Sequence, residues 1–190
     1  MSLIKVNETK IDGVFNIIPY SSYDSRGFSV KDYDKNALNL SGIMFEPCEI
    51  MIIESKKNVL RGLHFQYGEK QDKIVRCING SVWAVVVDLR KESKTLGQWI
   101  NVNINSNSEV YLPGGCALGT LAMEDSFILC MFGEMYDGKR ASGVRWNDDI
   151  LNVDWPIEYI SGDIIISEKD SSLMSFKDYL ISVGKNDLCI

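Results

Sequence analysis

The chain has 190 residues, 45% of them hydrophobic and 24% charged, with 20 Lys and Arg against 26 Asp and Glu and a formal net charge of −6. That length fits one domain able to bury about 70% of its extended surface, so no disulfide or metal is needed to hold a core. The acidic balance argues against a partner of nucleic acid or anionic membranes, and a total of one histidine excludes metal sites built on two imidazoles and histidine-pair proton shuttles.

Taken in chain order, residues 1–10 alternate apolar and polar side chains without the apolar core of a secretion signal. A short helix is predicted over Asp32 to Leu40. Short β-type runs then follow one another: Glu49 to Glu54, Arg61 to Gln66, Lys73 to Cys77, Ser81 to Asp88, Gln98 to Ile104, Glu109 to Leu112 and Phe127 to Phe132. Ile78-Asn79-Gly80 reads as a tight hairpin turn joining Lys73–Cys77 to Ser81–Asp88. The longest apolar run, Val82 to Val87, suits a strand covered on both faces and is far too short to span a membrane. Pro113 to Gly119 reads as a glycine-rich corner between strands, with no helix pattern after it to make a phosphate loop. Leu173, Phe176, Tyr179, Leu180 and Val183 recur at helical steps, predicting a C-terminal helix over about 171–184 capped by Ser171 or Ser172. Many short, closely spaced strands with helices only at the ends predict an all-β sandwich or barrel in a single domain. Five cysteines, Cys48, Cys77, Cys116, Cys130 and Cys189, show no C-x-x-C spacing and read as reduced thiols of a soluble, cytoplasmic protein.

His64 is the first candidate for proton transfer, because imidazole titrates near neutrality and this chain has no other. Arg61, three residues earlier, would face the opposite side of a flat strand, but Gly62 between them permits a bulge that turns both toward one cavity. Which of 26 acids orients the imidazole is not decided by spacing. Arg26, Arg61, Lys73, Arg76, Arg90 and Lys91 supply cations suited to a diphosphate, although the commoner role of each is a solvated charge or a structural ion pair. Cys116 and Cys130 are either reactive thiols or, more commonly for the residue type, inert buried ones.

Several longer motifs carry a resemblance. Asp24-Ser25-Arg26-Gly27-Phe28, Lys57 to Gln66 with its Arg-Gly-Leu-His, Gln71 to Cys77, Val87 to Ser93, Gly97-Gln98-Trp99, Trp146-Asn147-Asp148 and Asp154-Trp155-Pro156 stand in the order of the dTDP-4-dehydrorhamnose 3,5-epimerase family. From about residue 10 to 172 the chain resembles that family. The resemblance implies a cupin-like jelly-roll β-sandwich, an N-terminal strand arm exchanged within a homodimer, no metal and no cofactor. It implies epimerisation of a nucleotide-diphospho-4-keto-(deoxy)sugar at C3, C5 or both through an enolate, in deoxysugar and surface-polysaccharide biosynthesis. His64 then corresponds to the catalytic base, Asp170 to the aspartate that orients it, and Lys73 to the enolate-stabilising lysine. Arg61 and Arg26 correspond to contacts with substrate and phosphates, and Tyr136 to the second of two pocket tyrosines.

The departures bear on chemistry. The family's acid tyrosine is replaced within Leu129-Cys130-Met131, a second pocket histidine by Leu118, and a pocket aspartate by Ala84. Nucleobase-contacting positions read Glu49 and Lys31. Cys130 or Tyr136 is therefore the candidate proton donor, inversion at one carbon is favoured over two, and a CDP or GDP sugar stands beside a dTDP sugar. Two other readings are a 3,4-ketoisomerase of the same superfamily and a non-catalytic nucleotide-sugar binder.

Overall fold

A computed structural model describes residues 4–68 and 70–184. In chain order the strands are β1 (Lys5–Glu8), β2 (Phe15–Ile18), β3 (Tyr20–Asp24) and β4 (Gly27–Lys31). After helix α1 (Lys35–Leu40) come β5 (Glu49–Ser55), β6 (Leu60–Gln66), β7 (Lys73–Asn79), β8 (Val82–Asp88) and β9 (Trp99–Ile104). Then follow β10 (Glu109–Leu112), β11 (Cys116–Ala122), β12 (Ser126–Phe132) and β13 (Ala141–Gly143), with helices α2 (Glu168–Ser171) and α3 (Phe176–Ser182) near the end. Two sheets face each other, one ordered β1-β2-β10-β7-β12-β5 and the other β13-β6-β11-β8-β9, while β3 and β4 form a separate hairpin. This is the all-β sandwich expected from the density of short strands, in the cupin-like form that the family resemblance implies. Among the described residues no helix is long and apolar enough to cross a membrane.

Strand β8 shows why its sequence has no polar alternation. Val82, Ala84 and Val86 point into the space between the sheets, packed with Val75, Val110 and Ile128. Val85 and Val87 point the other way, into a second core closed by Trp155, Phe176, Tyr179 and Leu180. A third core lies on the outer face of the six-stranded sheet, where Leu38 of α1, Ile43 and Phe45 cover Ile74 and Met131. Each fully buried Leu, Ile or Phe contributes roughly 1.5–3 kcal/mol.

Three sequence expectations change. The Ile78-Asn79-Gly80 turn does not make a hairpin, because β7 pairs with β10 and β12 while β8 pairs with β11 and β9. The chain turns a corner there and crosses from one sheet to the other. The glycine-rich corner shrinks to the residues before Cys116, and residues 116–122 form a central strand, buried along nearly its whole length. Gly119 belongs in that strand because a Cβ there would stand 2.7 Å from Leu63 Cδ2 and 2.9 Å from Trp155. The C-terminal helix over 171–184 is really two short helices. Ser167 caps α2, and Ser175, in a capping box with Asp178, caps α3 in place of Ser171 or Ser172. Leu173 stands outside both helices and Val183 is the C-cap of α3, whereas Phe176, Tyr179 and Leu180 form its buried stripe. The short helix predicted over Asp32 to Leu40 is α1, started by Asp34, whose carboxylate accepts from the Ala37 amide. Cys189 lies outside the described residues.

Candidate active site

Where β5, β6, β7, β11 and β12 face one another, the space between the sheets stays open as a cavity with two lobes. The outer lobe, about 200 Å³, is lined by Glu49, Gln66, Gln71, Tyr136 and Lys169. The inner lobe, about 120 Å³, is lined by Arg61, Leu118, Thr120, Ile128 and Cys130. His64, Lys73 and Phe132 border both lobes. His64 comes from the five-stranded sheet and Lys73 from the six-stranded sheet, so they reach the cavity from opposite walls.

The His64 wall depends on an irregularity. Leu118 pairs with His64 and Thr120 with Arg61, so a step of two residues on β11 is matched by three on β6. The extra residue is a bulge, and it changes the parity of the strand so that Arg61 and His64 turn to the same side. Gly62 makes this possible with φ of +110°. A Cβ there would lie 2.5 Å from the Leu118 carbonyl oxygen, so the position has room only for hydrogen. The Gly62 amide donates to Asp170 Oδ2 at 3.0 Å, and Asp170 Oδ1 lies 2.8 Å from His64 Nε2. With the Asp170 carboxylate as acceptor, Nε2 is the ring nitrogen that donates, which leaves Nδ1 as the nitrogen available to a substrate proton. Asp170 itself is fixed because α2, capped by Ser167, holds it against β6, and its side chain is only 7% exposed against 43% for His64. Arg61 is also held in place, donating from Nε to Ser55 Oγ at 3.0 Å and from Nη2 to the Glu54 carbonyl at 3.1 Å.

The opposite wall is dry. Lys73 is 6% exposed, and no carboxylate pairs with it among the described residues. Burial lowers its ammonium from the ordinary 10.5 to about 8. Burial likewise pushes the Cys130 thiol up to about 12, with the charge of Lys73 opposing the shift. Cys130 thus reaches the inner lobe as a neutral thiol that keeps its proton at every physiological pH. Tyr136 stands at the outer lobe on an exposed loop, and its backbone amide donates to Glu49 Oε2 at 2.8 Å.

The structure therefore brings together His64, Asp170, Arg61, Lys73, Cys130, Tyr136 and Glu49. It does not bring in Arg26 or Lys31. Arg26 lies at the tip of the β3–β4 hairpin, 88% exposed and paired with Asp24 at 2.7 Å. Lys31, at the end of β4, pairs with Asp34 at 3.3 Å. Gln66, Gln71 and Lys169 also line the cavity and were missed from sequence. The alternation of β6 could have shown Gln66, and the position of Lys169 beside Asp170 could have shown the lysine.

Comparison with known proteins identifies the family and the fold. The family model for dTDP-4-dehydrorhamnose 3,5-epimerase matches residues 8–178. The chain is 36% identical over 175 residues to the dTDP-4-dehydrorhamnose 3,5-epimerase of Methanothermobacter thermautotrophicus, covering 90% of this chain and 93% of that one. It is 34% identical over 182 residues to the Escherichia coli protein of the same description, covering 93% and 97%. Among solved structures it superposes with a TM-score of 0.86, at 29% identity, on a 4-keto-6-deoxy sugar epimerase from the novobiocin biosynthetic gene cluster of Streptomyces spheroides, covering 97% of this chain and 92% of that one. It superposes with a TM-score of 0.84, at 25% identity, on a 3'-monoepimerase from Streptomyces bikiniensis in complex with dTDP-quinovose, covering 93% and 90%. With a matching model across most of its length and a jelly roll to hold the site, the chain belongs to the dTDP-4-dehydrorhamnose 3,5-epimerase family, whose members are isomerases.

Proposed function

We propose that the protein epimerises a nucleotide-diphospho-4-keto-deoxysugar at one carbon beside the ketone. The observation that carries this reading is the placement of an Asp170-oriented His64 on one wall of the cavity, facing Lys73 and Cys130 on the other. In the reaction His64 Nδ1 takes the α-proton, and the electron pair of the C–H bond moves onto the C4 oxygen as an enolate. The Lys73 ammonium stabilises that oxygen in a poorly hydrated setting, where a charge–charge contact is strong. The Cys130 thiol then returns a proton to the opposite face of the carbon, and the thiolate recovers its proton from solvent or from the imidazolium. Tyr136, exposed at the cavity mouth, is the alternative donor.

The substrate's nucleotide end fits the outer lobe. One Glu49 oxygen is taken by the Tyr136 amide, and a carboxylate there accepts from the amino groups of cytosine or guanine. CDP and GDP sugars therefore belong in a substrate panel beside the dTDP sugars that structural relatives bind. Arg61 and Lys169 supply cations for the diphosphate from this chain. Arg26, for the phosphates, and Lys31, for the nucleobase, come from a second copy in a homodimer. That reading is supported by a β3–β4 hairpin paired only with itself, by Tyr23 and Phe28 exposed on it, and by Ile50 and Ile52 exposed on edge strand β5.

The test is deuterium incorporation from heavy water into a panel of nucleotide 4-keto sugars, with the product's configuration read by NMR. The wild type is expected to incorporate deuterium and invert one carbon, His64→Asn to lose both by about 10³–10⁴-fold, and Cys130→Ala to keep incorporation while losing inversion. Wild-type protein that leaves every sugar unlabelled disproves the proposal. Inversion intact in Cys130→Ala and lost in Tyr136→Phe moves the donor to Tyr136.

A further inference from the structure

Outside the cavity, the outer face of the six-stranded sheet buries a charged cluster that the mechanism does not use. Arg76 on β7 and Glu109 on β10 are cross-strand partners, 4% and 1% exposed. Asp32, the first residue after β4, joins them: its carboxylate approaches Arg76 Nε to 2.5 Å, and Arg76 Nη2 donates to Asp32 Oδ2 at 3.2 Å. Arg76 Nη1 donates to the Ser106 carbonyl at 2.9 Å. Neither Glu109 carboxyl oxygen has an aligned hydrogen-bond partner.

We propose that Arg76, Asp32 and Glu109 form a latch at the root of the β3–β4 hairpin, and that it positions Arg26 and Lys31. Two carboxyl groups share one guanidinium, with Arg76 and Glu109 buried and the Asp32 side chain 27% exposed, so the site favours a proton on Glu109. Glu109 is the more deeply buried, and burial together with the Asp32 charge pushes it up to about 9. At neutral pH Glu109 is uncharged, and the Arg76–Asp32 pair holds the chain where the hairpin leaves the sheet. When Glu109 ionises, two negative charges compete for Arg76, and Asp32, on the more exposed segment, is the one free to leave. Arg76 from β7 and Asp32 from the segment after β4 are the charged groups that act on Glu109, and β2 places Ile17 opposite it. Among the described residues the hairpin is also held by the Tyr23 hydroxyl donating to Asn107 Oδ1 at 2.5 Å and by the Lys31–Asp34 pair at its end.

The role of the hairpin in binding rests on the proposed epimerase reading, so the first readout is independent of activity. Amide hydrogen exchange across residues 20–31 is measured at pH 7 and pH 10 in wild type and Glu109→Gln, which keeps a neutral side chain at both. At pH 7 the two proteins are expected to match. At pH 10 the wild-type hairpin is expected to exchange about tenfold faster than that of Glu109→Gln, as a group one unit above its midpoint is about nine-tenths ionised. Equal rates at pH 10 overturn the latch. Asp32→Asn at pH 7 supplies the link to binding: KM for the nucleotide sugar is expected to rise about tenfold with kcat within twofold, as for a residue that orients binding groups only. An unchanged KM overturns the positioning role, and if Asp32→Asn does not fold, the Glu109→Gln comparison repeated with KM at pH 10 decides it. A wild type inert toward all sugars would overturn the epimerase reading and leave the hairpin-exchange result standing by itself.

Discussion

His64 and Lys73 face one cavity from opposite sheets, yet their surroundings are unlike. The imidazole is half-exposed, and its orientation is set by hydrogen bonds: Asp170 holds Nε2, and the Gly62 amide holds Asp170. The ammonium is buried among Cys130, Ile128 and Phe132, with its titration moved by desolvation. A base needs a defined tautomer and access to a C–H bond, which a carboxylate partner and a bulged strand supply. A group that must stabilise an enolate gains more from a dry wall, where each charge counts for several times its worth in water. The two walls therefore fail differently when altered, one through geometry and the other through solvation.

After the loss expected of His64→Asn, the largest expected effect tests the dry wall. Lys73→Met keeps the length and apolar stem of the side chain and removes its charge. It is expected to lower kcat by about 10²–10³-fold, the usual cost of removing one donor to a developing oxyanion, with less change in KM. In the wild type kcat is expected to fall as pH rises through about 8, where the buried ammonium loses its proton. A variant whose kcat stays within a few-fold of wild type removes Lys73 from the reaction.

The bulged wall is tested next by Gly62→Ala. The new methyl would meet the Leu118 carbonyl and Gly119 Cα at 2.5 and 2.7 Å, on a backbone with φ of +110°. Such strain is expected to cost roughly 2–4 kcal/mol in urea unfolding and to unseat the Gly62–Asp170–His64 chain. Folded protein should then show exchange activity reduced well beyond its loss of stability. A fully stable, active Gly62→Ala protein means that the bulge is not needed to present the base.

Much of this was legible in the sequence, for identifiable reasons. The strand runs, the two-faced burial of Val82 to Val87 and the bulge allowing Arg61 and His64 to share a side follow from local pattern and from glycine's backbone freedom. Asp170 is 106 residues from His64 and was reachable only through the motif that surrounds it. The hairpin expected at Ile78-Asn79-Gly80 failed because a tight turn fixes chain direction, not the strand's hydrogen-bonded neighbour, and here the neighbours lie in different sheets. Residues 116–122 were missed as a strand because Gly119 reads as a loop residue, while its reason is the close approach of Leu63 and Trp155. Arg26 and Lys31 lie on the one hairpin that pairs with neither large sheet, so contacts within a single chain do not bring them to the cavity.

The smallest effect sharpens the comparison of the two walls, because it has the opposite sign to the loss of activity. Lys73 has a folded value of about 8 against an ordinary 10.5, so the unfolded chain holds the proton more tightly. Stability contributed by the neutral amine is thus present above about 10.5 and lost as pH falls toward 8, where the ammonium must be buried. At pH 7 that burial costs roughly 3 kcal/mol, and Lys73→Met removes it. The variant is expected to be more stable than wild type at pH 7 by about this amount, with the gap closing toward pH 10 in urea unfolding. Glu109 is shifted upward and opposes the trend in absolute stability, but it is present in both proteins and cancels in the difference. A His64→Asn change on the half-exposed wall should show no such gain, since no buried charge is relieved there. Equal gains at both positions would mean that the two walls are solvated alike.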